Sequence, residues 1–103
     1  MLEFIRSKVS EEKRYMQLAE EAAELAQASL KVCRTMSDEN PTPVTREEAM
    51  EKLYEEIADV DLALLALGLM DNTPQQKVQA YVWAKFRRWN KRLKETVGEE
   101  KLR

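Results

Sequence analysis

Glu20-Glu21-Ala22-Ala23-Glu24 sits between Leu18 and Leu25, and later in the chain Glu55-Glu56-Ile57-Ala58-Asp59 sits between Leu53 and Val60. Each is an acidic cluster set inside an apolar repeat of helical period. Carboxylates crowded against an apolar stripe are costly unless something positive neutralises them. At about 100° per residue, Gln17, Glu21, Glu24 and Ala28 fall on one strip beside the stripe Leu18, Ala22, Leu25, Ser29, Val32, Met36. Glu20 turns toward solvent. On the next helix Lys52, Glu56, Asp59 and Ala63 form the equivalent strip beside Leu53, Ile57, Val60 and Leu64.

If the two stripes pack antiparallel, which a short connection favours, the i, i+3 pairs Glu21/Glu24 and Glu56/Asp59 converge. Two arrangements fit that pattern. In one, a hard divalent cation such as Mg2+ or Mn2+ sits among the carboxylates. In the other, the acids form a solvated face laced with salt bridges. An iron centre fits less well, because di-iron bundles use Glu-x-x-His pairs and the chain has no histidine.

Working outward, residues 1–9 read as a short helical lead-in whose apolar side is Leu2, Phe4, Ile5 and Val9. Ser10 before Glu11 and Glu12 suits a helix start, and the helix runs to about Met36. Leu30 and Cys33 widen its apolar stripe, and Ala22, Ala23, Ala26 and Ala28 let another helix approach closely. Ser37 through Pro43 is a polar, proline-containing break. Thr45 with Glu48 matches a capping box, opening a helix that closes near Gly68. After a turn at Asp71-Asn72, Thr73 reads as N-cap with Pro74 at the first helical position. The third long helix carries Val78, Val82, Phe86, Trp89 and Leu93 on one side, with Gly98 as its end and a frayed tail beyond.

The fold expected is all-α: an antiparallel helical hairpin plus a third long helix, in one domain spanning 1–103 with its core at about 10–95. Such long helices cannot all hide their stripes in so small a monomer, and Leu62 to Leu67 is apolar nearly all round. A four-helix-type core completed by self-association, as a homodimer or homotetramer, is therefore expected. Net charge of −2 and pI near 5.3 give no reason to expect nucleic-acid or anionic-membrane binding. A single cysteine, the lack of a signal-like apolar run near the first residues and the absence of a membrane-length segment point to the cytoplasm. Without histidine, His-based zinc sites and His-dependent triads are excluded.

Glu20-Glu21-x-x-Glu24 followed by Glu56-x-x-Asp59, across a proline-containing loop, resembles the signature of the all-α NTP pyrophosphatase superfamily, the MazG-like proteins. The likeness covers roughly residues 10–95. It implies that Glu21, Glu24, Glu56 and Asp59 hold Mg2+, with Mn2+ as a substitute, and form the catalytic centre. It also implies hydrolysis of a nucleoside triphosphate between the α- and β-phosphates, giving monophosphate and pyrophosphate. Such a polyanion needs cations beyond the metal. On the third helix Tyr81, Lys85, Arg88 and Arg92 share a strip, and Lys85-Phe86-Arg87-Arg88-Trp89 resembles the family's basic segment. Lys85, Arg88, Arg92 and Gln17 are the candidate substrate contacts. The plain alternative is a basic helix end favoured by the dipole. Ala63 stands where some relatives carry an aromatic residue near the substrate, so the identity of the base does not carry over. A nucleotide-binding protein without turnover and a purely structural helical oligomer remain the alternatives to the enzyme.

Overall fold

In a computed structural model, the structure describes residues 1–37 and 43–102, with side chains through residue 98. The described residues are helical and contain no strand: α1 (Leu2–Lys8), α2 (Glu11–Arg34), α3 (Arg46–Ala66) and α4 (Asn72–Leu102). Of the break expected over 37–43, residues 38–42 lie outside the described residues. Among the described residues no helix is long and apolar enough to cross a membrane. The chain divides into two compact units, Met1–Met70 and Asp71–Arg103.

The helix starts follow local chemistry. Ser10 accepts a hydrogen bond from the Lys13 backbone N–H, and Thr45 accepts one from that of Glu48, so each hydroxyl satisfies an otherwise orphaned donor. At the far end of α3, Gly68 adopts φ 75°, and the Leu69 N–H reaches back to the Leu64 carbonyl at 3.0 Å. The Gly68 N–H bonds to the Leu65 carbonyl at the same time, which completes a Schellman stop that only an achiral residue enters cheaply.

Two expected boundaries move. Helix α4 begins at Asn72 rather than at Pro74, since the Gln75 N–H already bonds to the Asp71 carbonyl. Pro74 then falls inside the first turn, where its missing N–H has no intrahelical partner to lose. Nor does Gly98 end α4. It lacks the left-handed backbone found at Gly68, and glycine inside a helix costs only about 1 kcal/mol when nothing redirects the chain.

Within the first unit, α2 and α3 pack along each other and α1 packs on α3. Their sense is antiparallel: Arg14, near the start of α2, reaches the Ala66 carbonyl at the end of α3. Along α2 and its C-cap the least exposed residues are Arg14, Leu18, Glu21, Leu25, Ala28, Val32 and Thr35. On α3 Ala49, Leu53, Glu56, Val60 and Ala63, continued by the C-cap Leu67, follow the same alternation of three and four, with Ala66 buried beside them. That repeat is the knobs-into-holes pattern of a coiled coil.

The seam is therefore turned relative to the stripes expected from apolarity. Ala22 and Ser29 of α2 and Met36 just beyond its end are exposed, as is Ile57 of α3, while Glu21, Ala28, Glu56 and Ala63 lie inward. Cys33, expected on the apolar stripe, is exposed as well, because it is about 100° round from the buried Val32. The buried hydrophobic residues are Ala28, Val32, Ala49, Ala63 and Ala66, so the axes come close but little large apolar surface is hidden. Leu62 and Leu65 are left open.

A clamp fixes one end of this hairpin. The Arg6 guanidinium donates to the Leu65 and Ala66 carbonyls at 2.8 and 3.1 Å, and Arg14 donates to Ala66 at 2.8 Å and to Val9 at 3.2 Å. Cations at a helix C-terminus satisfy its orphan carbonyls and oppose its dipole. Here the same bonds tie α1 and α2 to the end of α3.

The second unit is α4. Val78, Val82, Phe86, Trp89 and Leu93 fall on one side as expected, and all are exposed. Trp83 meets Phe86 edge-on, with ring centroids 6.1 Å apart.

Candidate metal centre

The turned seam brings the acids together. Glu21 and Glu24 from α2 and Glu56 and Asp59 from α3 each offer a carboxylate oxygen, and these atoms all lie within 4.8 Å of one another. Spacing explains why. Residues three apart share a helix face, so each helix presents its pair together, and the antiparallel seam sets the pairs opposite each other.

Their surroundings differ. Glu56 is the most enclosed, at 3% exposure, because its Cα lies in the seam between Leu53 and Val60. Its Oε1 takes an ion pair from Lys52 Nζ at 2.9 Å, one turn earlier on α3. Its Oε2 is buried without a hydrogen-bond partner among the described residues. Glu21 is half-buried. Its Oε1 accepts from Gln17 Nε2 at 2.6 Å, while its Oε2 is also buried and unpaired. Glu24 and Asp59 stand nearer solvent, and Glu20 and Asp61 are exposed.

An unsatisfied buried acceptor costs about 1–3 kcal/mol, and more if charged, so two of them beside each other call for a proton or a cation. The electrostatics say the same. The neighbouring Glu21 carboxylate, then that of Glu56, pushes the Glu24 carboxyl above its usual range. A proton held on Glu24 can be donated to Glu21 or Glu56. The Lys52 ammonium is raised in turn, first by its hydrogen bond to Glu56 and then by that carboxylate's charge. A ring of anionic oxygens with unpaired lone pairs, drawn from two helices, fits a hard divalent ion such as Mg2+ or Mn2+. Glu21, Glu24, Glu56 and Asp59 are the residues that could hold it.

Clefts open on both sides of the quartet. One, of 490 Å³, is lined by Glu24 and Glu56 together with Gln27, Lys31, Arg34 and Lys52. The other, of 260 Å³, is lined by Glu21 and Asp59 with Ile5, Val9, Arg14 and Gln17 among others. Thus one acid of each helix faces each cleft.

Gln17 is therefore in the site, as a hydrogen-bond donor to a candidate ligand. Lys85, Arg88 and Arg92 are exposed residues of α4, in the second unit, and none has an ion pair among the described residues. Sequence reasoning passed over Lys31 and Arg34, although Lys31 follows Glu24 by seven residues and so falls near its helix face. It also left Arg14 without a role. Nothing short of tertiary geometry would have sent a surface-type arginine to the end of α3. Comparisons with family models, with curated proteins and with solved structures find no match to this chain.

Proposed function

We propose that the chain is a Mg2+-dependent nucleoside triphosphate pyrophosphohydrolase with a MazG-like site, converting NTP or dNTP to monophosphate and pyrophosphate. The observation that supports this most is the convergence of Glu21, Glu24, Glu56 and Asp59 within 4.8 Å, with two buried oxygens unpaired. A solvated, salt-bridged face would keep its carboxylate oxygens in water rather than buried.

In this reading Glu21, Glu24, Glu56 and Asp59 would hold Mg2+, which would supply charge screening of the triphosphate and activation of water. The protein's own part is preorganisation. Gln17 fixes the rotamer of Glu21 through its 2.6 Å hydrogen bond. Burial in the seam fixes Glu56, and Lys52 balances its charge at 2.9 Å. The turn-by-turn spacing of α2 and α3 keeps all four carboxylates aimed at one point. Held rigidly, such groups need little reorganisation as charge develops on the substrate. No protein nucleophile is required. The pool served is that of a reducing cytoplasm, and Lys85, Arg88 and Arg92 are further candidate contacts to phosphate.

Self-association belongs to the same proposal. The apolar side of α4 is one surface that a four-helix core in a dimer or tetramer would cover, and Leu62 and Leu65 of α3 are another.

The deciding assay is a panel of NTPs and dNTPs with Mg2+, scoring pyrophosphate against orthophosphate. Pyrophosphate release supports the reading, whereas orthophosphate alone would place cleavage at the terminal phosphate and end it. A nucleotide sensor would bind in the same panel without turnover. A structural oligomer would show neither turnover nor Mg2+-dependent stabilisation.

A further inference from the structure

The larger cleft carries more positive charge than its acids use. Lys52 is committed to Glu56 at 2.9 Å and to Glu55 at 3.7 Å. Lys31 and Arg34 line the same cleft, yet among the described residues neither forms an ion pair or a side-chain hydrogen bond. Both lie in the last turn of α2, where the helix dipole favours cations, and that is a sufficient reason for some positive charge there. It does not explain why they line one cleft with Glu24 and Glu56.

Helix geometry sets Lys31 about 20° and Arg34 about 80° round from Glu24, and both line the same cleft as the acids. Lys31 and Arg34 follow Glu24 by roughly 10 and 15 Å along the axis, and helical side chains lean toward the N-terminus, that is, back toward Glu24. The cleft's 490 Å³ falls in the range of small-ligand sites, about 300–1,000 Å³. Among the described residues no aromatic lines it, so they offer no flat surface for a base. Its chemistry is cationic and hydrogen-bond donating, and a guanidinium grips phosphate in a two-pronged fashion.

We infer that Lys31 and Arg34 are substrate-binding residues that take the terminal phosphates, the part that leaves as pyrophosphate. This rests on the proposed hydrolase reading for the identity of the substrate, but not for the chemistry of the cleft, which is that of a site for a condensed phosphate beside bound metal. It also puts the first cations to meet the polyphosphate on α2, in the same unit as the quartet.

The test uses the full chain and inorganic pyrophosphate as probe, titrated in the presence of Mg2+ by calorimetry. Lys31→Ala and Arg34→Ala are each expected to weaken pyrophosphate binding about tenfold, and the double variant more, since one charge-assisted contact is worth about that factor. Lys13→Ala, which removes the same charge from the opposite end of α2, is the control and should leave binding within about twofold. Circular dichroism and the Mg2+-dependent rise in Tm should match the parent in all variants. A role confined to the helix dipole would change Tm and leave pyrophosphate binding alone, and that result overturns the inference.

Failures are separable. If the parent hydrolyses NTP but its pyrophosphate affinity ignores both residues, the inference falls and the hydrolase stands. If the parent turns over no nucleotide yet binds pyrophosphate through Lys31 and Arg34, the cleft stands and the hydrolase falls. A parent that binds no pyrophosphate with Mg2+ present refutes the inference outright.

Discussion

The α2–α3 seam and α4 are built from similar amphipathic sequence and have opposite fates. In the seam, small residues and two glutamates are enclosed by a partner helix, and Glu56 is 3% exposed. On α4 large residues lie open, with Trp89 at 66% and Phe86 at 58%. Apolarity alone would have ranked them the other way. Close approach of two helices selects for small side chains, since interaxial distance depends on what stands at the contact. A long aromatic stripe instead requires a separate layer to cover it. The seam is thus specified by fit between small side chains, and α4 by an apolar stripe of large ones.

The strongest way to break this contrast is to remove the charge at its enclosed end. Glu56→Gln preserves shape and hydrogen-bonding capacity but removes an anionic ligand and the partner of Lys52. Turnover is expected to fall by on the order of a hundredfold or more, with helix content unchanged, as judged by steady-state assay and circular dichroism. Retained activity would remove Glu56 from the catalytic centre.

Filling the site should sharpen the same contrast. Mg2+ that binds the folded chain alone stabilises it by about 2.7 kcal/mol at a concentration of 100 Kd. Differential scanning calorimetry against chelator should show Tm rising with Mg2+ for the parent and not for Glu56→Gln. A parent whose Tm ignores Mg2+ would leave the acids as a surface face.

Next comes the clamp that holds the seam's end. Arg14→Ala takes away hydrogen bonds to Ala66 and Val9, a loss worth about 2 kcal/mol for charge-assisted bonds at a half-buried site. Urea titration should show that loss with an unchanged slope. An effect below about 0.5 kcal/mol would demote the clamp to an ordinary surface contact.

On α4 the corresponding change is Trp89→Glu. If self-association covers this side, the substitution should cost about 1.5–3 kcal/mol of association and move sedimentation toward the monomer. It should spare the Mg2+-dependent rise in Tm. A parent that already sediments as a monomer at micromolar concentration defeats the oligomer proposal.

Much of this was legible in the sequence because it is local. Ser10, Thr45 and Gly68 act through bonds within a few residues, and all three mark real helix ends. The i, i+3 spacing of the acids survives any rotation of the helix as a unit, so the quartet could be named in advance. What failed was the rotation itself. Ile57 and Met36 outrank Ala28 and Ala49 on any hydrophobicity scale, yet they are open at 42% and 60%. That ranking knows the cost of exposing a residue but not how near the neighbouring axis lies. Arg6 and Arg14 were invisible for a related reason, because their partners are carbonyls freed at the end of a helix some fifty residues or more away. Gly98 misled by its identity, since glycine ends a helix only when the backbone beyond it turns left-handed.

The smallest expected effect is in the pH dependence, and it separates the seam's two kinds of charge. Glu24 is raised by the carboxylates facing it, Glu21 first and then Glu56, with Asp59 completing the ring and the Lys52 ammonium bound to Glu56. The folded chain therefore holds a proton on Glu24 more tightly than the unfolded chain does. The stability this contributes is fully present below the ordinary glutamate pKa and is lost as pH rises through the raised value. Lys52 is raised too, so its contribution is present below the ordinary lysine pKa and is lost only as pH climbs through its own higher value. Without metal, Tm should therefore decline across the mildly acidic range, level off, and decline again at the alkaline end. Glu24 stands near solvent, so the first decline is shallow. Glu24→Gln should abolish it and leave the second intact. Saturating Mg2+ should flatten it also, because a cation among the oxygens replaces the proton as the charge that offsets their repulsion. A first decline that persists unchanged in Glu24→Gln would mean that the seam's acids do not feel one another, and the quartet would lose its physical basis.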